Sequence, residues 1–123
     1  MVKAPDFVQQ MMSSPVAHLT PDNSVADALR AMIDRDIGAV VVLDDGRPVG
    51  VFTERDVSRR ILDDRDLLIR RVGDVMSAPV VSVAPMDEVV FIFGLMTSKR
   101  IRRLPVVEGD RVVGIITERD LLR

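Results

Sequence analysis

The sequence predicts a mixed α/β (α+β) fold built from two copies of one β-α-β-β-α unit, and three observations lead there. The stretch Gly50-Val51-Phe52-Thr53-Glu54-Arg55-Asp56-Val57 returns as Gly114-Ile115-Ile116-Thr117-Glu118-Arg119-Asp120-Leu121. The shift of 64 positions, from Gly50 to Gly114, keeps register without a gap back to Met12 on Met76, matching Pro15 to Pro79, Pro21 to Pro85, Val25 to Val89 and Met32 to Met96. This is the mark of a tandem duplication. Within each copy, β-branched runs alternate with one segment of helical periodicity.

Residues 1–11 precede the first copy, with Asp6 to Met11 expected as a short helical lead-in that packs on the module. Val16 to Leu19 is expected as a strand, stopped at Thr20-Pro21-Asp22 because proline fixes φ and removes a donor. From Ser24, the apolar residues Val25, Ala28, Leu29 and Met32 fall on one helix face, with Ser24 and Asp27 as a cap. The helix is expected to end near Asp36, leaving Gly38 to turn the chain. Ala39 to Leu43 and Pro48 to Phe52 flank Asp44-Asp45-Gly46 and read as a hairpin, apolar enough to be covered on both faces. Thr53 then caps a helix to about Leu62.

The first copy thus spans 12–62, the charged segment 63–75 reads as a linker, and the second copy is 76–123. The second repeats the plan: strand Val80 to Val83, helix Asp87 to Lys99, strand Leu104 to Val107, turn Glu108-Gly109-Asp110, strand Val112 to Ile116 and cap Thr117. Its helix is apolar on nearly every side (Val89, Val90, Phe91, Ile92, Phe93, Leu95, Met96), more than one core face requires. The surplus predicts a partner surface. The chain stops at Arg123, so the last helix is expected to be truncated.

Composition narrows the function. A chain of 123 residues with 47% hydrophobic content buries one compact core. A net charge of -2 gives no overall field to attract nucleic acid or an anionic membrane, and with four Phe and no Trp or Tyr there are few base-stacking platforms. No apolar run reaches the roughly 18 to 20 residues of a membrane span. The absence of Cys excludes disulfides and thiolate metal sites and fits a reducing cytoplasm. His18 has no second His or Cys for company and reads as a partly exposed strand residue. Neither a nucleophile with a positioned base nor a metal cluster is present, so the chain is read as non-enzymatic.

Thr-Glu-Arg-Asp is first a helix start, with Thr as cap and Asp three residues on. A cap constrains only two positions, yet Gly, Thr, Glu, Arg and Asp all recur. A ligand accounts for the rest: a helix N-terminus and the Thr hydroxyl suit phosphate, while the Asp carboxylate suits a neutral diol such as ribose. A nucleotide meets both demands.

The doubled Gly-apolar-x-Thr-x-x-Asp pattern, closing a strand-helix-strand-strand-helix repeat from Met12 to Arg123, resembles a tandem pair of CBS (cystathionine β-synthase) domains, a Bateman module. The resemblance implies a pseudo-twofold pair of small sheets flanked by helices, and clefts that borrow from both copies to bind AMP, ADP or ATP. By position, one cleft would take Val51, Thr53, Arg55 and Asp56 with Val80, Val81, Ile101 and Arg102. The other would take Ile115, Thr117, Arg119 and Asp120 with Val16, Ala17, Ile37 and Gly38. Apolar members would sandwich the adenine, Asp would take ribose, and Thr and Arg phosphate. Arg102 and Arg103 are expected as a phosphate clamp, standing where the first copy has Gly38 and Ala39, so the arginine-bearing cleft should bind more tightly. No cofactor is required; the expected partners are the nucleotide, a second copy through the apolar helices, and an effector protein the sequence does not identify. The alternative is a ligand-free interaction and dimerisation module whose tetrads only cap helices.

Overall fold

The computed structural model describes residues 6–122. They gather into two compact units, one continuous (Ala17–Val80) and one built from the described residues on either side of it.

The continuous unit runs β1 (His18–Leu19), α1 (Val25–Arg35), β2 (Ala39–Asp44), β3 (Arg47–Thr53), α2 (Glu54–Arg60), a 3-10 turn (Leu67–Ile69) and α3 (Val72–Val75). Its sheet has the order β1-β2-β3, with β1 parallel and β3 antiparallel to β2. The first strand is shorter than expected, because only His18 and Leu19 pair, opposite Val41 and Val42. Ser24 and Asp27 form the expected reciprocal cap of α1, each accepting the other's backbone N–H at 3.1 Å. Val25, Ala28 and Met32 are buried and Leu29 packs beside them, so the periodic face is the core face. The helix ends on Asp36 in the left-handed region, φ 53°. That places the reversal two residues before Gly38, on one of the few residue types whose short polar side chain tolerates it. Asp45 and Gly46 both have positive φ, 55° and 79°, the combination that a type I′ hairpin requires.

Val40, Val41 and Val42 of β2 are fully buried, as a strand covered on both faces demands. The charged segment after α2 is more than a solvated linker, since Leu67 in its 3-10 turn is fully buried with Val72 and Val75 in the same core. An ion pair from Arg70 to Asp64 ties that turn down. The Asp64 carboxyl is lowered chiefly by this hydrogen bond from Arg70.

The other unit holds a 3-10 turn (Val8–Gln10), α4 (Val89–Lys99), β4 (Arg103–Glu108), β5 (Arg111–Thr117) and α5 (Glu118–Leu121). Residues 1–5 of the expected lead-in, and Arg123 at the end of the last helix, lie outside the described residues. Val8 is fully buried against a core of Val83, Ile92, Met96, Leu104, Val106 and Ile116. Val80 to Val83 does not form a strand; Val83 alone makes a parallel bridge to Val106, its N–H donating to Pro105 and its carbonyl accepting from Val107. β4 and β5 pair antiparallel, and their two-residue loop has positive φ at Gly109, 61°, the position where a type II′ turn needs glycine.

The two copies exchange their opening residues. Ser77 and Val51 trade backbone hydrogen bonds at 3.0 and 3.1 Å, while Ser13 and Ile115 do so at 2.9 and 3.0 Å. Met76 lies over Gly50 and Met12 over Gly114, where an added Cβ would stand 2.2 Å and 2.5 Å from the respective sulfurs. Each start of a repeat therefore completes the hairpin edge of the other repeat.

Candidate functional site

Thr53 and Thr117 end β3 and β5 in extended conformation and cap the helices that follow. In the first tetrad, Asp56 Oδ2 accepts from Thr53 N–H at 2.9 Å and from Thr53 Oγ1 at 3.0 Å, while Thr53 Oγ1 accepts from Asp56 N–H at 3.1 Å. The second tetrad repeats this between Thr117 and Asp120 at 2.8, 3.0 and 3.2 Å. Thr53 and Asp120 are buried, at 7% and 5% exposure. The capping box that the spacing predicts is thus present twice.

The cap limits what each group offers a ligand. A Thr hydroxyl has one proton, and here it is donated to the Asp carboxylate. The first helical N–H of each tetrad donates to the loop preceding the hairpin, Glu54 to the Gly38 carbonyl at 3.0 Å and Glu118 to the Arg102 carbonyl at 2.8 Å. Two of the N–H groups that a bare helix start would turn to an anion are therefore engaged. Oδ1 of Asp56 takes no part in the cap and has an acceptor's capacity to spare.

Those loop bonds join residues that the sequence assigns to opposite sets: Gly38, expected with Thr117 and Asp120, is bonded to the first tetrad, and Arg102, expected with Thr53 and Asp56, to the second. In the continuous unit they join Ile37-Gly38 to the tetrad Thr53-Glu54-Arg55-Asp56. Ala17 is beside them in the chain's core, its carbonyl accepting from Val41 N–H at 3.1 Å, and Val51 carries the bridge to Ser77 that precedes Val80. In the other unit, Ile101-Arg102-Arg103 meet Thr117-Glu118-Arg119-Asp120, with Arg103 opposite Thr117 in register. Val81 packs on this unit's core, Ile115 pairs with Ser13, and Val16 belongs to the same unit. Each predicted set thus has members in both units.

Two side chains absent from the predicted sets stand out. Glu118 Oε2 lies 3.5 Å from Arg102 Nε, with the two side chains 52% and 56% exposed. Glu54 reaches over Gly38, its Oε1 2.5 Å from where a Cβ would sit. The signal for both was the recurrence of Glu in each tetrad, a position the cap does not require. Beside the Arg102–Glu118 pair is a cavity of about 300 Å³ lined also by Phe93, Met96, Ile101 and Leu121. His18 is exposed on β1. Among the described residues no group of three or more His, Cys, Asp and Glu is placed to hold a metal, and no helix is long and apolar enough to cross a membrane.

Comparison with known proteins places the family and the fold. The CBS domain family matches residues 8–63 and 72–123. The mitochondrial CBS domain-containing protein CBSX3 of Arabidopsis thaliana is 34% identical over 110 residues, covering 85% of this chain and 53% of that protein. The CBS domain-containing protein YhcV of Bacillus subtilis is 32% identical over 114 residues, covering 93% of this chain and 81% of that one. Among solved structures, a signal-transduction protein with CBS domains from Burkholderia ambifaria superposes with a TM-score of 0.82 at 33% identity, over 94% of this chain and 90% of the other. The chain spans only about a third to about half the length of several other curated relatives that it matches.

Proposed function

The chain belongs to the CBS domain family, and from that premise we propose that it is a non-enzymatic regulatory module that binds an adenine nucleotide, AMP, ADP or ATP, and signals by a change of shape or assembly. The observation that supports this reading most is the use of the tetrad carboxylate. The cap of α2 consumes Oδ2 of Asp56 and leaves Oδ1 as an acceptor, and a ribose diol presents the donors that match it. Thr53 orients that carboxylate by giving it the hydroxyl proton. Phosphate accordingly falls to the guanidinium groups, of which Arg102 and Arg103 are the best placed by sequence and suit phosphate oxygens. Val51, Val80, Val81 and Ile101, and in the second set Ile115, Val16, Ala17, Ile37 and Gly38, supply the apolar and backbone surface for adenine, with Arg55 and Arg119 beside the caps. A ligand that binds one arrangement of the module better than another shifts its population toward that arrangement.

Isothermal titration calorimetry with AMP, ADP and ATP tests the reading. Saturable binding is expected, weakened about tenfold or more by Asp56→Asn or Asp120→Asn, the scale of a lost hydrogen bond to a charged group. No binding of any of the three at millimolar concentration would discard it.

A second reading, a dimerisation and interaction module, is favoured by one specific feature. Val90, Phe91 and Phe93 on α4 are 81%, 58% and 52% exposed, although apolar side chains this large normally seek cover. We propose that a second copy covers them, and that an effector protein reads the assembly. Sedimentation velocity is expected to show a dimer that Phe91→Glu converts to monomer; a monomer from the outset would refute this.

A further inference from the structure

Glu118 is held beside Arg102 twice over. Its backbone N–H donates to the Arg102 carbonyl at 2.8 Å, and its carboxylate faces the Arg102 guanidinium at 3.5 Å. The backbone bond keeps the two residues adjacent whatever their side chains do. The side-chain pair is half exposed, and such pairs are weak, so a phosphate oxygen arriving from solvent can displace it. The same backbone bond in the other repeat joins Glu54 to Gly38, where there is no side chain for a carboxylate to neutralise. Arginine at the glycine position is what creates the pair, and only in one repeat.

We infer that Glu118 is a specificity-determining residue: by neutralising Arg102 it holds down the site's preference for di- and triphosphates over a monophosphate. This rests on the adenine-nucleotide reading above and adds to it which ligands the site favours. Arg102 and Arg103 present two consecutive positive charges, and Glu118 cancels one of them. Coulombic attraction of a ligand scales with the product of its own charge and the local charge. Adenosine carries no phosphate charge, and the charge grows from AMP through ADP to ATP. Each added phosphate therefore feels the carboxylate more. Once displaced from Arg102, Glu118 stays tethered nearby by its backbone and repels the phosphate that replaced it.

Calorimetry of the full chain and of Glu118→Gln with adenosine, AMP, ADP and ATP at low ionic strength decides the matter. Glutamine keeps the length of the side chain and the backbone bond to Arg102 while removing the charge. The expected result is a ladder: adenosine unchanged, AMP tighter by about twofold and ATP by about fivefold, the last being the scale of one exposed ion pair. The ladder is expected to shrink with added salt, and to be absent when Glu118→Gln is made on an Arg102→Gln background. Equal affinities for the two proteins overturn the inference, as does a loss of affinity or a uniform change that includes adenosine, which would mark a merely structural role. If the parent protein binds ATP and no ladder appears, this inference falls alone. If neither protein binds any of the four, the adenine reading falls with it.

Discussion

Asp120 and Thr117 lock the start of α5 to the end of β5 through three reciprocal hydrogen bonds, and Asp120 does so from a site only 5% exposed. Asp56 makes the same bonds to Thr53 from a more open position. Asp120→Ala is expected to lower stability by about 1–3 kcal/mol, because the carboxylate it removes is buried and water is poorly placed to replace it as acceptor for the Thr117 N–H and hydroxyl. Asp56→Ala should cost about 1 kcal/mol, the usual loss for an N-terminal cap. Urea denaturation gives both values, and the order Asp120 above Asp56 is the feature to check.

Gly50 and Gly114 sit under methionine side chains contributed by the opposite repeat. Gly50→Ala drives a Cβ into Met76 and is expected to destabilise by about 1–3 kcal/mol, the cost of overpacking. Met76→Ala on that background should recover part of the loss. Gly114→Ala should be the more costly, because its Cβ also meets the Ser13 backbone oxygen at 3.0 Å, and backbone does not swing aside. Gly38→Ala meets only the tip of the exposed Glu54 side chain and is expected within about 0.5 kcal/mol of the parent. A thermal-unfolding series of the four variants tests this ranking.

Leu67 interrupts a run of charged residues and is fully buried. Leu67→Ala is expected to cost about 2–5 kcal/mol, as for other leucines removed from a core. A loss below about 0.5 kcal/mol, the range of surface changes, would show the segment to be the solvated linker that its composition suggests.

Asp27 is held below the usual carboxylate range first by the Asn23 amide and then by the Ser24 N–H, and Asp64 chiefly by Arg70. A carboxylate depressed in the folded state adds stability that is present above its unfolded value, about 3.9, and lost as pH falls through the folded value. The urea midpoint is therefore expected to hold from neutral pH to about pH 5 and to fall below about pH 4. Asp64→Asn should reduce that fall, which a denaturation series in acid buffers measures.

Much of this fold is legible in the sequence, and the reasons are local. The caps at Ser24, Thr53 and Thr117 each need only a residue and its third neighbour, so their spacing is a direct physical signal. The two hairpins are fixed by Asp45-Gly46 and by Gly109. What escaped depended on distant partners. Whether Val80 to Val83 pairs as a strand is decided by β4, which meets it only at Val83. Leu67 opens a run of only three apolar residues between charged ones, and nothing local marks it as core until α1 and α3 cover it. The left-handed turn fell to Asp36, because aspartate tolerates it and Gly38 was not needed for it. At the candidate site the tetrads were legible by recurrence. The engagement of Arg102 by Glu118 was not, since it needs the carbonyl bond that sets them side by side.

The continuous unit, Ala17–Val80, lies whole within the chain, whereas the other is assembled from its two ends. That division sets an order of events during synthesis. The middle unit has all of its residues once Val80 has left the ribosome, and can fold there, since domains form as units while the chain is still growing. Val8, made before the middle unit, has to wait for Leu104 and Ile116 before its core exists, a contact of high sequence separation and hence a slow one. For that interval Val8 and the apolar residues beside it stay unfolded while the middle unit is already formed, and this is the stage at which a nascent chain would most need protection from aggregation.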